Sequence, residues 1–379
     1  MRIYNKNFYF ALSTLIGTII GAGIFGLPYA IYQSGIFLGL VYLLVLGFIM
    51  IIIHLLYGEV VLRTEKTHRL VGYGEKYLGE PAKMVLTLSA LFGLYGSSIV
   101  YIILGGEFLN NIFSGFLINN SFFYSLIFFA VVAILVYFGL KTIKKSEFYL
   151  TALLLVTIVI ILFLGLTKIH SVNYQAIKLK DVFLPYGVIF FALNGAIAIP
   201  ELKSILKRKQ KLFKKTIILG TLIPLAIYLL FTLVVIGITG GGTSPEALTG
   251  LKNKLGDGMV LIGSLFGFLA IATSFLVIAL HLKETFIYDY HLTNLTAWLL
   301  ACFVPLLLFL AGFANFIKII ALVGAIMGGI DGIAVVLIYL KAKKHGDKKP
   351  EYNLKLPKVF IYSLIGIFLL GIFCSMIYN

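Results

Sequence analysis

Apolar runs of about 20 residues, long enough to cross hydrocarbon as a helix, recur along nearly the whole chain with short polar breaks between them. They predict eleven membrane spans, at 8–31, 35–57, 84–109, 121–140, 148–167, 182–201, 216–239, 259–281, 292–311, 317–340 and 358–378. Between spans 2 and 3, residues 58–83 read as a polar turn followed by a short amphipathic segment lying on the membrane surface. Residues 168–181 and 240–258 read as connections on the opposite side. In the second of these, Thr243-Ser244-Pro245-Glu246 has the pattern of a capped turn leading into a short helix.

Two spans do not look like uninterrupted helices. No Asp, Glu, Lys or Arg occurs from Asn7 to Gly58, yet span 1 carries Gly17, Gly21, Gly23 and Gly26, with Pro28 just after. Glycine loosens a helix and proline removes a backbone donor. Freed backbone groups are tolerated at membrane depth only where they line a cavity or are buried in protein. Span 6 is interrupted in its turn by Asn194-Gly195, small residues and Pro200. Breaks five spans apart place the second half upside down relative to the first. The predicted fold is therefore all-α, a single transmembrane domain over 1–379. It holds a 5+5 inverted repeat (about 8–167 and 182–340) of the LeuT-like kind, with broken spans 1 and 6 and one added helix at 358–378.

Composition sharpens this picture. The 379 residues are 60% hydrophobic and 12% charged, which excludes an ordinary soluble domain. The net charge of +16 follows from topology and does not point to nucleic acid. With the N-terminus cytoplasmic and the C-terminus extracellular, only Lys168, Lys178, Lys180, Lys252, Lys254 and Lys318 of the 31 Lys and Arg face outward. The basic clusters at 203–215 and 341–358 read as stop-transfer and anionic-lipid contacts in the plasma membrane. Cys302 and Cys374 fall in apolar spans and read as small core residues.

The candidate chemistry gathers at the breaks. A helix that stops leaves N–H groups at the positive end of the next half-helix, where a carboxylate is favoured; Gly21, Ala22 and Gly23 supply that place in span 1, with Ile24 following. Carbonyls near Asn194 and Gly195 and the Asn194 amide suit an ammonium group. Tyr95, Phe190 and Phe191 are candidates to surround an apolar or aromatic side chain. The Thr273-Ser274 pair in span 8 either bonds back to its own helix or offers oxygens to a hard cation. Three acids, Glu107, Glu201 and Asp331, are candidates for gating or coupling. His281, Glu284, Asp289 and His291 read as juxtamembrane polar residues. No nucleotide loop, zinc-protease motif or nucleophile elbow is present, so the chain reads as no enzyme and uphill transport would need an ion gradient.

Gly17-Thr-Ile-Ile-Gly-Ala-Gly-Ile-Phe-Gly-Leu-Pro-Tyr-Ala30 resembles the first-span motif of the amino acid/auxin permease and aromatic amino acid permease families, within the amino acid–polyamine–organocation superfamily. Arg69–Gly79, Tyr95–Glu107, Phe191–Glu201 and Thr273-Ser-Phe-Leu are similar to other segments of these families. The resemblance implies a substrate carboxylate at Gly21, Ala22 and Gly23. It also implies a sodium site formed by Gly17 and Ile20 with Ala270, Thr273 and Ser274. Some proton-coupled relatives put a span 5 lysine in that place; span 5 here, 148–167, has no Lys, Asp or Glu, which favours sodium.

The expectation is a symporter importing neutral, aromatic or large, amino acids by alternating access, with sodium as coupling ion and no other cofactor. Its partners are the substrate and the bilayer, not nucleic acid. The alternatives are an exchanger or facilitator without ion coupling, and an amino acid sensor, which the short tails disfavour.

Overall fold

The computed structural model describes residues 6–113, 118–139, 143–174, 181–288 and 290–378; Lys178, Lys180 and Asp289 lie outside them. Span 1 is two helices, α1 (Lys6–Ile19) and α2 (Gly23–Ser34), set at 52° to each other. Next come α3 (Ile36–Arg63), the short α4 (Leu70–Leu78), α5 (Glu80–Phe113), α6 (Ser121–Phe138) and α7 (Ile143–Gly165). Span 6 is again divided, into α8 (Leu184–Leu193) and α9 (Ile199–Leu206) with a single 3-10 turn between them. The remaining helices are α10 (Phe213–Thr239), α11 (Leu248–Leu255), α12 (Asp257–Tyr288), α13 (Asn294–Leu310), α14 (Phe316–His345) and α15 (Lys358–Tyr378).

Among the described residues, eight helical segments are long and apolar enough to cross a membrane, and the bent α1–α2 pair makes a ninth. The stretches predicted as spans 5 and 9 hold shorter apolar helices, over Ala152–Lys168 and Asn294–Leu310. Local chemistry sets several of the boundaries. Asn120, Thr293 and Asn315 cap α6, α13 and α14 by accepting the N–H of Phe123, Thr296 and Lys318. Helix α3 runs past its predicted end at residue 57, because Glu59 and Arg63 pair at 2.8 Å one turn apart and carry the helix on to Arg63. Helix α4 is the predicted amphipathic segment. The turn at 243–246 differs in detail from its prediction. Its helix starts at Leu248, after Ala247 at φ 65°, and the cap comes from the Glu246 carboxylate accepting the Thr249 N–H.

The packing divides the molecule into two bodies. Helices α1, α2, α3, α8, α9 and α10 pack mainly on one another; α5, α6, α12 and α13 form a second group. Between them runs α14, which lies against α8, α3 and α5, while α7 lies on α12 and α10. The α8–α14 seam is a backbone contact. A β-carbon at Gly324 would lie 1.9 Å from the Gly187 carbonyl oxygen, and one at Gly187 would meet the Ala321 carbonyl. Replacement of Gly324 by Ala is therefore expected to lower the thermal midpoint of the detergent-purified protein by several degrees. Gly366→Ala on α15, where the new methyl meets no atom within 4 Å, is expected to leave it unchanged. Equal midpoints for the two variants would contradict this packing.

Candidate functional site

In an unbroken helix each carbonyl accepts the N–H four residues on. Around residue 194 that pattern fails, and two of the diverted donors are met by side chains. The Gly195 N–H, which would have bonded to Phe191, donates instead to His54 Nε2 at 3.3 Å. The Ala196 N–H, freed from Ala192, goes to the Asn194 side-chain oxygen at 3.2 Å, and the Asn194 N–H reaches back to Phe191. The Ala192 carbonyl is then covered by the Tyr228 hydroxyl of α10 at 3.0 Å.

The same hydroxyl serves the span 1 break. Tyr228 is fully buried and donates to the Ile19 carbonyl at 2.6 Å, while the Gly21 N–H is directed at its oxygen. The Ile24 and Phe25 amides close tight turns on Gly21 and Ala22. Among the described residues, no protein acceptor meets the N–H of Ala22 or Gly23, and no main-chain N–H meets the carbonyl of Gly17 or Ile20. A β-carbon built on Gly21 would meet nothing within 4 Å. Two donors without a protein acceptor thus lie at the positive end of α2, in buried residues that follow the open flank of Gly21.

The two breaks lie against each other. Gly23 is pressed on the Ala192 backbone, where a β-carbon would come within 2.4 Å of the Ala192 Cα, and Gly195 sits against Ile19. Gly21, Ala22, Gly23, Asn194 and Gly195 are thus brought to one place, with Gly21, Phe191 and Asn194 half-buried and Ile24 enclosed. Phe190 points elsewhere. Its ring is buried against Tyr186 (centroids 4.8 Å apart), Phe368 of α15 and Gly328. Tyr95, also half-buried, packs among Ile278, Leu282 and the α13 residues Ala297 and Ala301.

The other candidates are spread through the fold. The Thr273 hydroxyl bonds back to Ala270 at 2.9 Å and Leu269 at 3.2 Å, which leaves its lone pairs unspent; Ser274 is half-buried beside it. The principal partners of α12 are α5, α7 and α13, and those of α1 are α10 and α9. Glu107 accepts from Ser121 and ties α5 to α6; Asp331 accepts from Ser89 and ties α14 to α5. Glu201 is exposed. Its neighbour Lys203 is committed elsewhere, donating to the carbonyls of Val61, Thr64 and Glu65 at the end of α3, where a cation suits the helix dipole. His281 meets the Arg69 guanidinium, and no cluster of metal-binding side chains occurs among the described residues. Tyr228 and His54 were not singled out from sequence. His54 carried a signal all the same, since it is the one histidine in the stretch from Asn7 to Gly58 that lacks every other charged residue type.

Residues 5–377 match the sequence profile of the tryptophan/tyrosine permease family. The chain belongs to that family. It is 29% identical over 327 residues to tyrosine-specific transport system 2 of Haemophilus influenzae, covering 80% of each chain. It is 26% identical over 367 residues to a tryptophan-specific transport protein of Shigella flexneri, covering 88% of this chain and 86% of that one. It is likewise 26% identical over 282 residues to glutamine transporter 2 of Aliivibrio fischeri, covering 71% and 72%. Among solved structures, MhsT in complex with L-phenylalanine superposes with a TM-score of 0.68 at 17% identity, over 99% and 98% of the two chains. A nucleobase-cation-symport-1 family transporter does so with a TM-score of 0.63 at 15% identity, over 97% and 89%. These likenesses establish a LeuT-like helical fold. As a permease family member the chain is a multi-pass membrane protein and not an enzyme.

The shared hydroxyl gives the permease a clear vulnerability. Tyr228→Phe removes the single hydroxyl hydrogen that two buried carbonyls share, a cost of about 1–3 kcal/mol when such a group goes unmatched. The variant is expected to melt below the parent in detergent and to bind amino acid more weakly. A parent-like melting curve with parent-like binding would mean that the hydroxyl does not hold the breaks.

Proposed function

We propose that this permease imports neutral amino acids, aromatic ones among them, by cation symport across the plasma membrane, with its N-terminus cytoplasmic and its C-terminus extracellular. The observation that carries the reading is the pair of unmatched N–H groups of Ala22 and Gly23 beside the open flank of Gly21. A substrate carboxylate accepts those two N–H groups, and its ammonium group faces the half-buried Asn194. The tyrosine- and tryptophan-specific relatives support an aromatic substrate, and the glutamine transporter supports a neutral one more broadly. In this proposal the shorter helices α7 and α13 also span. That gives eleven spans, a 5+5 inverted repeat plus α15, and a place in the amino acid–polyamine–organocation superfamily.

Sodium is the coupling ion we favour. The Gly17 and Ile20 carbonyls, released by the break, are two of its ligands, with Ala270, Thr273 and Ser274 of α12 completing the oxygen set. One monovalent cation entering at 100 mV supplies roughly 2.3 kcal/mol, about fiftyfold accumulation before any concentration term.

Transport follows from the two-body packing. On the side away from the N-terminus, Phe25 of α2 meets Phe108 of α5 edge to face at 5.0 Å, and Phe108 fills the space beside Gly267 of α12. On the N-terminal side Thr14, Gly17, Thr18 and Gly21 are part-exposed and Ile197 is 59% exposed. We read this as a state sealed outward by the Phe25–Phe108 contact and open inward. Rocking of the α1, α2, α3, α8, α9 and α10 body against α5, α6, α12 and α13 reverses it.

Reconstituted protein is expected to take up labelled tyrosine or tryptophan faster under an inward sodium gradient than with potassium alone. Ala22→Leu is expected to stay folded and lose uptake. Thr273→Ala with Ser274→Ala is expected to keep residual uptake without sodium dependence. Normal uptake by Ala22→Leu would overturn the carboxylate site. Gradient-independent counterflow in the parent would favour an exchanger.

A further inference from the structure

His54 is an unlikely residue to find where it lies. It is fully buried in α3 between Ile53 and Leu55, in the middle of an apolar helix. Its two ring nitrogens have different partners on two other helices. Nε2 accepts the N–H of Gly195 in the span 6 break, so Nε2 carries no proton. Nδ1 must then carry it, and lies 2.9 Å from the Thr221 hydroxyl of α10. The imidazole is therefore a neutral, oriented bridge running from α10 through α3 to the break, with Thr221 fixing the tautomer.

We propose that His54 is a positioning residue for substrate binding: it holds the span 6 break in its unwound form by giving the Gly195 N–H an acceptor outside its own helix. This rests on the reading that the two breaks form the amino acid site. His54 itself touches no substrate. Without it the acceptor that an ordinary helical turn offers the buried Gly195 N–H is the Phe191 carbonyl, now used by Asn194. Re-forming that turn rotates Asn194 and Gly195. It also moves Ala192, which sits in backbone contact with Gly23, and so reaches the free donors at the start of α2. Packing alone does not call for histidine here. Leucine would fill a similar volume among the same neighbours without requiring two hydrogen bonds, and only the break has a use for an acceptor at Nε2.

Three variants test this in the full-length, reconstituted protein: His54→Leu, His54→Gln and Thr221→Val. Glutamine can accept from Gly195 and donate to Thr221; leucine can do neither. For labelled tyrosine uptake, His54→Leu is expected to raise KM roughly tenfold or more while the maximal rate changes less, and His54→Gln is expected to stay within about threefold of the parent. Independently of any substrate, amide hydrogen exchange over residues 193–199 is expected to differ from the parent by roughly tenfold in His54→Leu and to match it in His54→Gln. Parent-like KM and exchange in His54→Leu would overturn the proposal, as would equal effects of leucine and glutamine. If His54→Leu does not fold, Thr221→Val carries the test, because it removes the group that fixes the ring. A raised KM and altered exchange are expected, and parent-like values for both would overturn the proposal. A parent that takes up no tyrosine would count against the transport reading, while the exchange comparison would still decide the role of His54.

Discussion

Main-chain N–H and C=O groups are costly to leave unmatched inside a membrane protein, and the rest of this structure follows from where the two broken spans send theirs. The span 6 break is answered by the protein itself: His54 takes the Gly195 N–H, Asn194 takes that of Ala196, and Tyr228 covers the Ala192 carbonyl. The span 1 break is answered only in part. Tyr228 holds its last helical carbonyl, at Ile19, while Ala22 and Gly23 keep their donors. The asymmetry is chemically sensible. Span 6 is rigidified by side chains from α3 and α10, and span 1 retains unsatisfied polarity that a zwitterion can discharge. One phenol reaching both breaks also ties their geometries together, so a ligand that moves one is felt at the other.

That coupling sits inside one of the two packed bodies. His54, Thr221, Tyr228 and Lys203 all join elements of the same group, in which α1, α2, α3, α8, α9 and α10 pack on each other. The contact of Phe25 on Phe108, which reaches across to the other body, is apolar and edge-on. A body stiffened by internal hydrogen bonds and sealed to its neighbour by aromatic rings is suited to move as a unit.

The spans and their interruptions were legible because glycine and proline announce themselves against an otherwise apolar background. Gly21, Gly23, Asn194 and Gly195 were found in that way, and the structure gathers them. What the one-dimensional pattern hid was the set of partners. Tyr228 is one tyrosine among 22, and nothing in its neighbours along α10 reveals that its hydroxyl meets two breaks from other helices. Phe190 and Phe191 are adjacent and alike in sequence, yet one turns into the Tyr186–Phe368 packing and the other stays half-exposed by the break; which face a residue presents is settled by the helices around it. Span ends were hidden for a related reason. Glu59 looked like the end of an apolar run, but paired with Arg63 and accepting the Leu354 N–H it is buried inside α3.

The central claim is that the main chain at the span 1 break receives the carboxylate of an amino acid. An experimental structure with tyrosine or tryptophan bound tests it most directly. The account predicts carboxylate oxygens about 3 Å from the amide nitrogens of Ala22 and Gly23, with the α-ammonium toward Asn194. A carboxylate held by a side-chain cation elsewhere, with those two amides turned into a continuous helix, would contradict it.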